Sequence, residues 1–148
     1  MMIVFVILIC FNGLLVNSES NYLPFLYPTD YLTIGNTSYR VNVSFPSTLE
    51  FGSSCFNYAI IEIYGYISFG GSLYIMPLLD INIDLTAGRG EVRYAIITPT
   101  TNLSLCNQVN DYLSNSTGSS VSVEWILWVY WYDLCPDTDN ICNNTEVN

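Results

Sequence analysis

Over most of the chain apolar and polar positions alternate with a period of two, which is the period of a strand. Tyr39, Val41, Val43 and Phe45 alternate with Arg40, Asn42 and Ser44, predicting a half-exposed strand with Asn42 on its outward face. Phe56 to Phe69 is dense in β-branched and aromatic residues and breaks at Tyr64-Gly65, so it predicts two tightly joined strands, closed by Gly70-Gly71. Leu73 to Leu85 is another extended piece, in which Pro77 points to an edge or a bulge. After a turn at Gly88-Arg89-Gly90, Glu91 to Thr98 returns as a strand with Val92, Tyr94 and Ile96 on one side. A single stretch has the helical period: Leu105, Val109 and Leu113 recur every fourth residue between Leu103 and Ser114, with Thr101 or Asn102 placed to cap it. Ser116 to Ser120 reads as a polar loop. Val121 to Tyr132 is the most apolar stretch beyond the first 20 residues. It is too short for a membrane helix and carries Glu124. As a strand it sets Val121, Val123, Trp125, Leu127, Val129 and Trp131 on one face and Trp128 on the other, and its composition suits a central strand covered on both sides. Its W-x-x-W-x-x-W spacing also suits sugar attachment to Trp, but burial explains it more simply.

The N-terminus departs from this pattern. Met1 to Val16 is apolar except for Asn12 and Gly13, falls short of the ~20 residues needed to span a bilayer, and is followed by small residues at Ser18 and Ser20. Residues 1–20 are therefore expected to be a secretory signal peptide, even without a positive n-region. Of the 5 cysteines, Cys10 lies in this leader. Cys55, Cys106, Cys135 and Cys142 remain, an even set suited to an oxidising compartment. The turn-rich PDTDN segment between Cys135 and Cys142 favours a local loop there, with Cys55–Cys106 as the longer clasp. Zinc is disfavoured because there is no C-x-x-C pair and no His. Sequons at Asn36, Asn42, Asn102, Asn115 and Asn143 give a third sign of export, and each one used must face solvent.

Charge narrows the partners. Thirteen acidic residues against 3 basic ones give a net charge of -10, which repels phosphate backbones, so nucleic acid is not an expected partner. Hydrophobic residues make up 51% of the chain, enough to exclude global disorder.

The order of motifs resembles the nidogen-type extracellular domain found in nidogens, alpha-tectorin and some membrane mucins. Tyr58-Ala-Ile-Ile-Glu-Ile-Tyr-Gly-Tyr-Ile-Ser-Phe-Gly70 resembles its "strand, Asn-Gly-Tyr, Ile/Leu-Ser-Phe" signature, with Tyr64 in place of the Asn. Ile75-Met-Pro-Leu-Leu-Asp80 is similar to its "I-A-P-x-W-x-D" segment, with Leu79 in place of the Trp. Gly90-Glu-Val-Arg-Tyr94 resembles its "G-x-V-x-Y-R" strand, and Val123-Glu-Trp125 its "V-V-T-W" strand. The likeness covers roughly residues 25–133. It implies residues 21–134 as a β domain, C-terminally truncated or closed by a divergent cysteine-containing tail at 135–148. A truncated sheet would leave an open edge able to pair with another chain. The resemblance also implies a non-catalytic function: cell–matrix adhesion through contacts with extracellular matrix or cell-surface proteins.

Two constellations carry candidate chemistry. Asp80, Asn82 and Asp84, with Glu91 further on, have the oxygen spacing of a calcium loop, but Leu85 stands where an EF-hand requires Gly. A calcium site of another kind at Asp80, Asn82 and Asp84 is the remaining metal expectation; otherwise these residues are the solvated face of a strand. Tyr64 and Tyr66, flanking Gly65 at the predicted hairpin tip, are the candidate contact residues, because tyrosine buries area at low entropic cost while keeping a polar tip. Catalysis has no support: there is no His to serve a Ser nucleophile, no Asp-Thr-Gly and no Gly-rich phosphate loop. The expected fold is mainly β, a sandwich-like pair of packed sheets with one short α-helix, stapled by disulfides. The expected protein is a secreted, extracellular adhesion module with no transmembrane helix in its mature chain. A stand-alone secreted surface-coat or host-interaction glycoprotein is the alternative.

Overall fold

The computed structural model describes residues 28–34, 38–76 and 91–132 in full and residues 2–11 by their backbone. Among them the elements run β1 (Met2–Phe11), β2 (Leu32–Ile34), β3 (Arg40–Phe51), β4 (Ser54–Glu62), β5 (Tyr66–Phe69), β6 (Leu73–Ile75), β7 (Glu91–Ile97), α1 (Leu103–Thr117) and β8 (Val121–Tyr132). Among the described residues the protein is mainly β, with two antiparallel four-stranded sheets ordered β1-β8-β7-β2 and β3-β4-β5-β6 and one helix. Residues 2–11 of the segment expected to be a leader thus form strand β1 beside β8. The chain divides into two compact units, one drawn from Met1–Leu32 and Tyr94–Tyr130, the other from Thr33–Arg93 and Trp131–Asn148.

The first unit is organised around α1. Asn102 caps the helix, its side-chain oxygen accepting from the Leu105 N–H at 3.0 Å, so the second of the two expected caps is the one used. Leu105, Cys106 and Val109 are buried and Leu113 packs beside them, as their spacing predicts. The helix runs to Thr117, past the expected loop start at Ser116. The Ser116 and Thr117 hydroxyls donate back to the carbonyls of Tyr112 and Leu113, and Gly118 ends the helix in a left-handed conformation. Against this face lie Ile97 of β7 and Val121, Val123, Ile126, Trp128 and Tyr130 of β8, with Ala95 at the margin. β8 is buried on both faces from Trp125 to Trp131, as its composition predicts. Its helix-facing residues change phase between Val123 and Ile126, so the strict odd-numbered face expected from alternation is not what the core uses. In β7 it is the other side of the alternation that meets the helix, since Ala95 and Ile97 join the helix core while Tyr94 and Ile96 are half-buried.

Two helix side chains finish the N-terminal end of β8. The Val123 N–H donates to Asn110 Oδ1 at 2.7 Å and the Val121 N–H to Ser114 Oγ at 3.0 Å. The spacing explains the match: four helical residues rise about 6 Å, close to the roughly 6.7 Å covered by two strand residues.

The second unit contains the β3-β4-β5-β6 sheet. β3 and β4 pair antiparallel from Arg40↔Glu62 to Ser44↔Tyr58, then resume at Leu49↔Phe56 after a register shift. Pro46, which has no N–H for a ladder, falls inside that shift on an edge strand, and this is why β3 outlasts the expected end at Phe45. Thr48 Oγ1 donates to Asn57 Oδ1 at 2.8 Å across the irregularity. β4 turns into β5 through Ile63-Tyr64-Gly65, where Gly65 has φ 84° and its N–H donates to the Glu62 carbonyl at 3.3 Å. The break expected at Tyr64-Gly65 is therefore the hairpin itself. One sheet face buries Val43, Ala59, Ile61, Ile67 and Phe69, and the Phe45 and Phe56 rings lie 6.2 and 5.9 Å from that of Phe69.

Candidate functional site

The other face of this sheet is set by the register. Arg40, Glu62 and Tyr66 form one row, Asn42, Ile60, Ser68 and Tyr74 the next, and Ser44 with Tyr58 the third. Tyr58 and Tyr74 are 42% and 48% exposed, so this face presents aromatic surface to solvent. Tyr64 and Tyr66, the contact residues expected from the sequence, do flank the hairpin glycine, but both are half-buried. The Tyr64 ring lies almost parallel to that of Tyr39, with centroids 6.4 Å apart. Tyr66 packs on Tyr74 at 6.3 Å. Burial raises the Tyr66 pKa, and the Glu62 carboxylate raises it further by its charge and by accepting the phenol hydrogen bond. Tyr66 therefore stays a neutral donor fixed on Glu62, and its neighbour Tyr74 is the more available ring. The Tyr74 hydroxyl donates to the Gly71 carbonyl at 2.9 Å, which holds its ring beside that of Tyr66 at a tilt of 56°. The signal that could have found Tyr58 and Tyr74 is parity: counted through the hairpins, both share a face with Asn42.

The candidate modification sites are spread over both units. Asn42 is exposed on β3, as expected, and Asn115 is exposed in the last turns of α1. Asn102 is half-buried and its oxygen is committed to the helix cap, which leaves only its amide nitrogen for other use. Asn36 and Asn143 lie outside the described residues. So do Asp80, Asn82 and Asp84, the calcium expectation. Glu91, the acidic residue downstream of them, begins β7 with its carboxylate paired to the Arg93 guanidinium, which stacks over the Tyr132 ring at 4.6 Å. Among the described residues no group of three or more His, Cys, Asp or Glu could hold a metal ion.

Cys55 and Cys106 both carry free thiols, so the expected Cys55–Cys106 clasp is not formed in this structure. Cys55 is exposed at the start of β4, whereas Cys106 is 1% exposed on the core side of α1, where its side chain serves as a small apolar residue and burial pushes the thiol pKa up. Cys135 and Cys142 lie outside the described residues. Among the described residues no helix is long and apolar enough to cross a membrane.

Compared with protein-family models, curated proteins and solved structures, the chain matches none of them.

Proposed function

We propose that the protein is a non-catalytic extracellular adhesion module that contributes to cell–matrix adhesion by protein–protein contacts. In this reading its two sheets pack as a sandwich of the nidogen type and the Cys135–Cys142 loop closes the tail. The observation that carries it is the Tyr66–Tyr74 pair on the β5–β6 half of the outward face, an aromatic surface with one ring held by Glu62 and the other by Gly71. Rings fixed in advance lose little freedom on contact, which is what makes tyrosine effective at recognition surfaces. The exposed sequons at Asn42 and Asn115 support the compartment.

The test is binding of the secreted chain to matrix laid down by cultured cells, in a solid-phase assay. Tyr74→Ser should weaken binding about tenfold or more, as loss of an interface anchor does, with far-UV circular dichroism unchanged. Tyr112→Ser, at an exposed tyrosine of α1, should bind as the parent does. Equal binding by the Tyr74→Ser chain and the parent would rule out the β5–β6 half as the contact surface.

A further inference from the structure

We propose that an N-glycan on Asn42 folds back over the β3–β4 half of the outward sheet face and seats its first sugar on the Tyr58 ring beside Ile60. This rests on the extracellular reading above and adds to it a covered half of the sheet, leaving the Tyr66–Tyr74 half bare.

Four observations carry it. Asn42 is exposed and heads the sequon Asn42-Val43-Ser44 on the same face as Ile60 and Tyr58. Ile60 is its direct cross-strand partner and Tyr58 its diagonal neighbour, the latter at about 7–8 Å, a separation within reach of long or aromatic groups. Tyr58 also differs from the other tyrosines of this face. Tyr66 and Tyr74 contact each other and bond to Glu62 and Gly71, whereas Tyr58 has no ring or hydrogen-bond partner among the described residues while 42% exposed. Finally, Asn42, Ser44, Tyr58 and Ile60 form an uncharged patch in a chain of net charge -10, which matches an uncharged sugar better than a charged ligand. A pyranose ring has one face made of C–H groups and a rim of hydroxyls, so it can lie on an aromatic ring and keep its polar groups in water. The tether at Asn42 removes most of the association cost that a free sugar would meet on so small a patch.

The experiment uses the full chain secreted from eukaryotic cells. Glycopeptide mapping should find Asn42 occupied. Ser44→Ala removes the acceptor sequence while keeping Asn42; it should lower Tm by about 3–5 °C where Tyr58 is present and by less than about 1 °C in the Tyr58→Ser background. Tyr58→Phe keeps the ring and should keep the full sensitivity to Ser44→Ala. A second measurement needs no substitution: trimming the glycans of the folded parent to their first sugar should change Tm by less than about 1 °C, because that sugar is the one on Tyr58. The proposal is overturned if Ser44→Ala costs the same in both backgrounds, if trimming costs as much as Ser44→Ala, or if Asn42 is empty while Asn115 is occupied. If Asn42 and Asn115 are both empty, the extracellular reading falls with it.

Discussion

Trp131→Ala should cost about 3–5 kcal/mol of folding stability, a large share of the roughly 5–15 kcal/mol that holds a domain together, while Trp131→Phe should cost about 1–2 kcal/mol. Trp131 is 2% exposed, so alanine leaves a cavity the size of an indole that its neighbours cannot fill. Phenylalanine keeps most of the apolar contact but loses the indole N–H, which donates to the Glu62 carbonyl at 3.0 Å. That carbonyl also accepts from the Gly65 N–H, so it keeps one partner when the indole is gone, and the penalty stays at the low end. Urea unfolding checks both values; the midpoint should fall in the order parent, Trp131→Phe, Trp131→Ala, at an unchanged slope. A Trp131→Phe midpoint as low as that of Trp131→Ala would show that the hydrogen bond, and not ring burial, dominates at this site. The same carbonyl anchors the hairpin that presents Tyr64 and Tyr66, so Trp131 ties the contact face to the buried side of its unit.

Asn110→Ala should cost about 1–3 kcal/mol, because it strips the Val123 N–H of its acceptor near the start of a strand that is largely buried. Alanine is a better helix former than asparagine by about half a kcal/mol, so the observed loss understates the value of the bond. Asn110→Asp keeps an oxygen in the same place and should retain most of the stability. Ser114→Ala should add a smaller loss through the Val121 N–H, and the double variant should show coupling, since both bonds hold one strand end against one helix face. Thermal unfolding of the four variants decides the point. A neutral Asn110→Ala would mean that the helix and β8 are held by their apolar contacts alone.

These two sites illustrate what the sequence carried and what it did not. The α1 helix was legible because Leu105, Val109 and Leu113 have one period and one face, and Asn102 stands where a cap is needed. The β4–β5 hairpin was legible because a glycine interrupts two apolar strands. The phase of β8 was not. A strand buried on both faces has almost no polar marker to say which residues face the helix, and its one exposed interior residue, Glu124, lies close to where the phase changes. Nor was the helix end legible. Ser116 and Thr117 look like loop residues, yet their hydroxyls satisfy carbonyls four residues back.

The candidate site shows the same limit. Tyr64 and Tyr66 were visible as hairpin neighbours, but a sequence pattern gives position along a strand and not the packing above it. Stacking on Tyr39 and contact with Glu62 and Tyr74 leave them half-buried, with Tyr58 and Tyr74 as the more open rings. Met2–Phe11 is a further case. A short run of Val, Ile, Leu and Phe meets the composition of both a secretory leader and a buried strand, and in the full chain it pairs as β1 beside β8.

Export is the premise on which the adhesion reading and the glycan proposal stand together. The most direct measurement of it is intact-mass and peptide mapping of the natural product from producing cells and their medium. The expected product is a chain in the medium that begins after Ser18 or Ser20, and so lacks β1, and that carries sugar on Asn42 and Asn115. A chain found inside the cell, still starting at Met1 and with both asparagines unmodified, would contradict it.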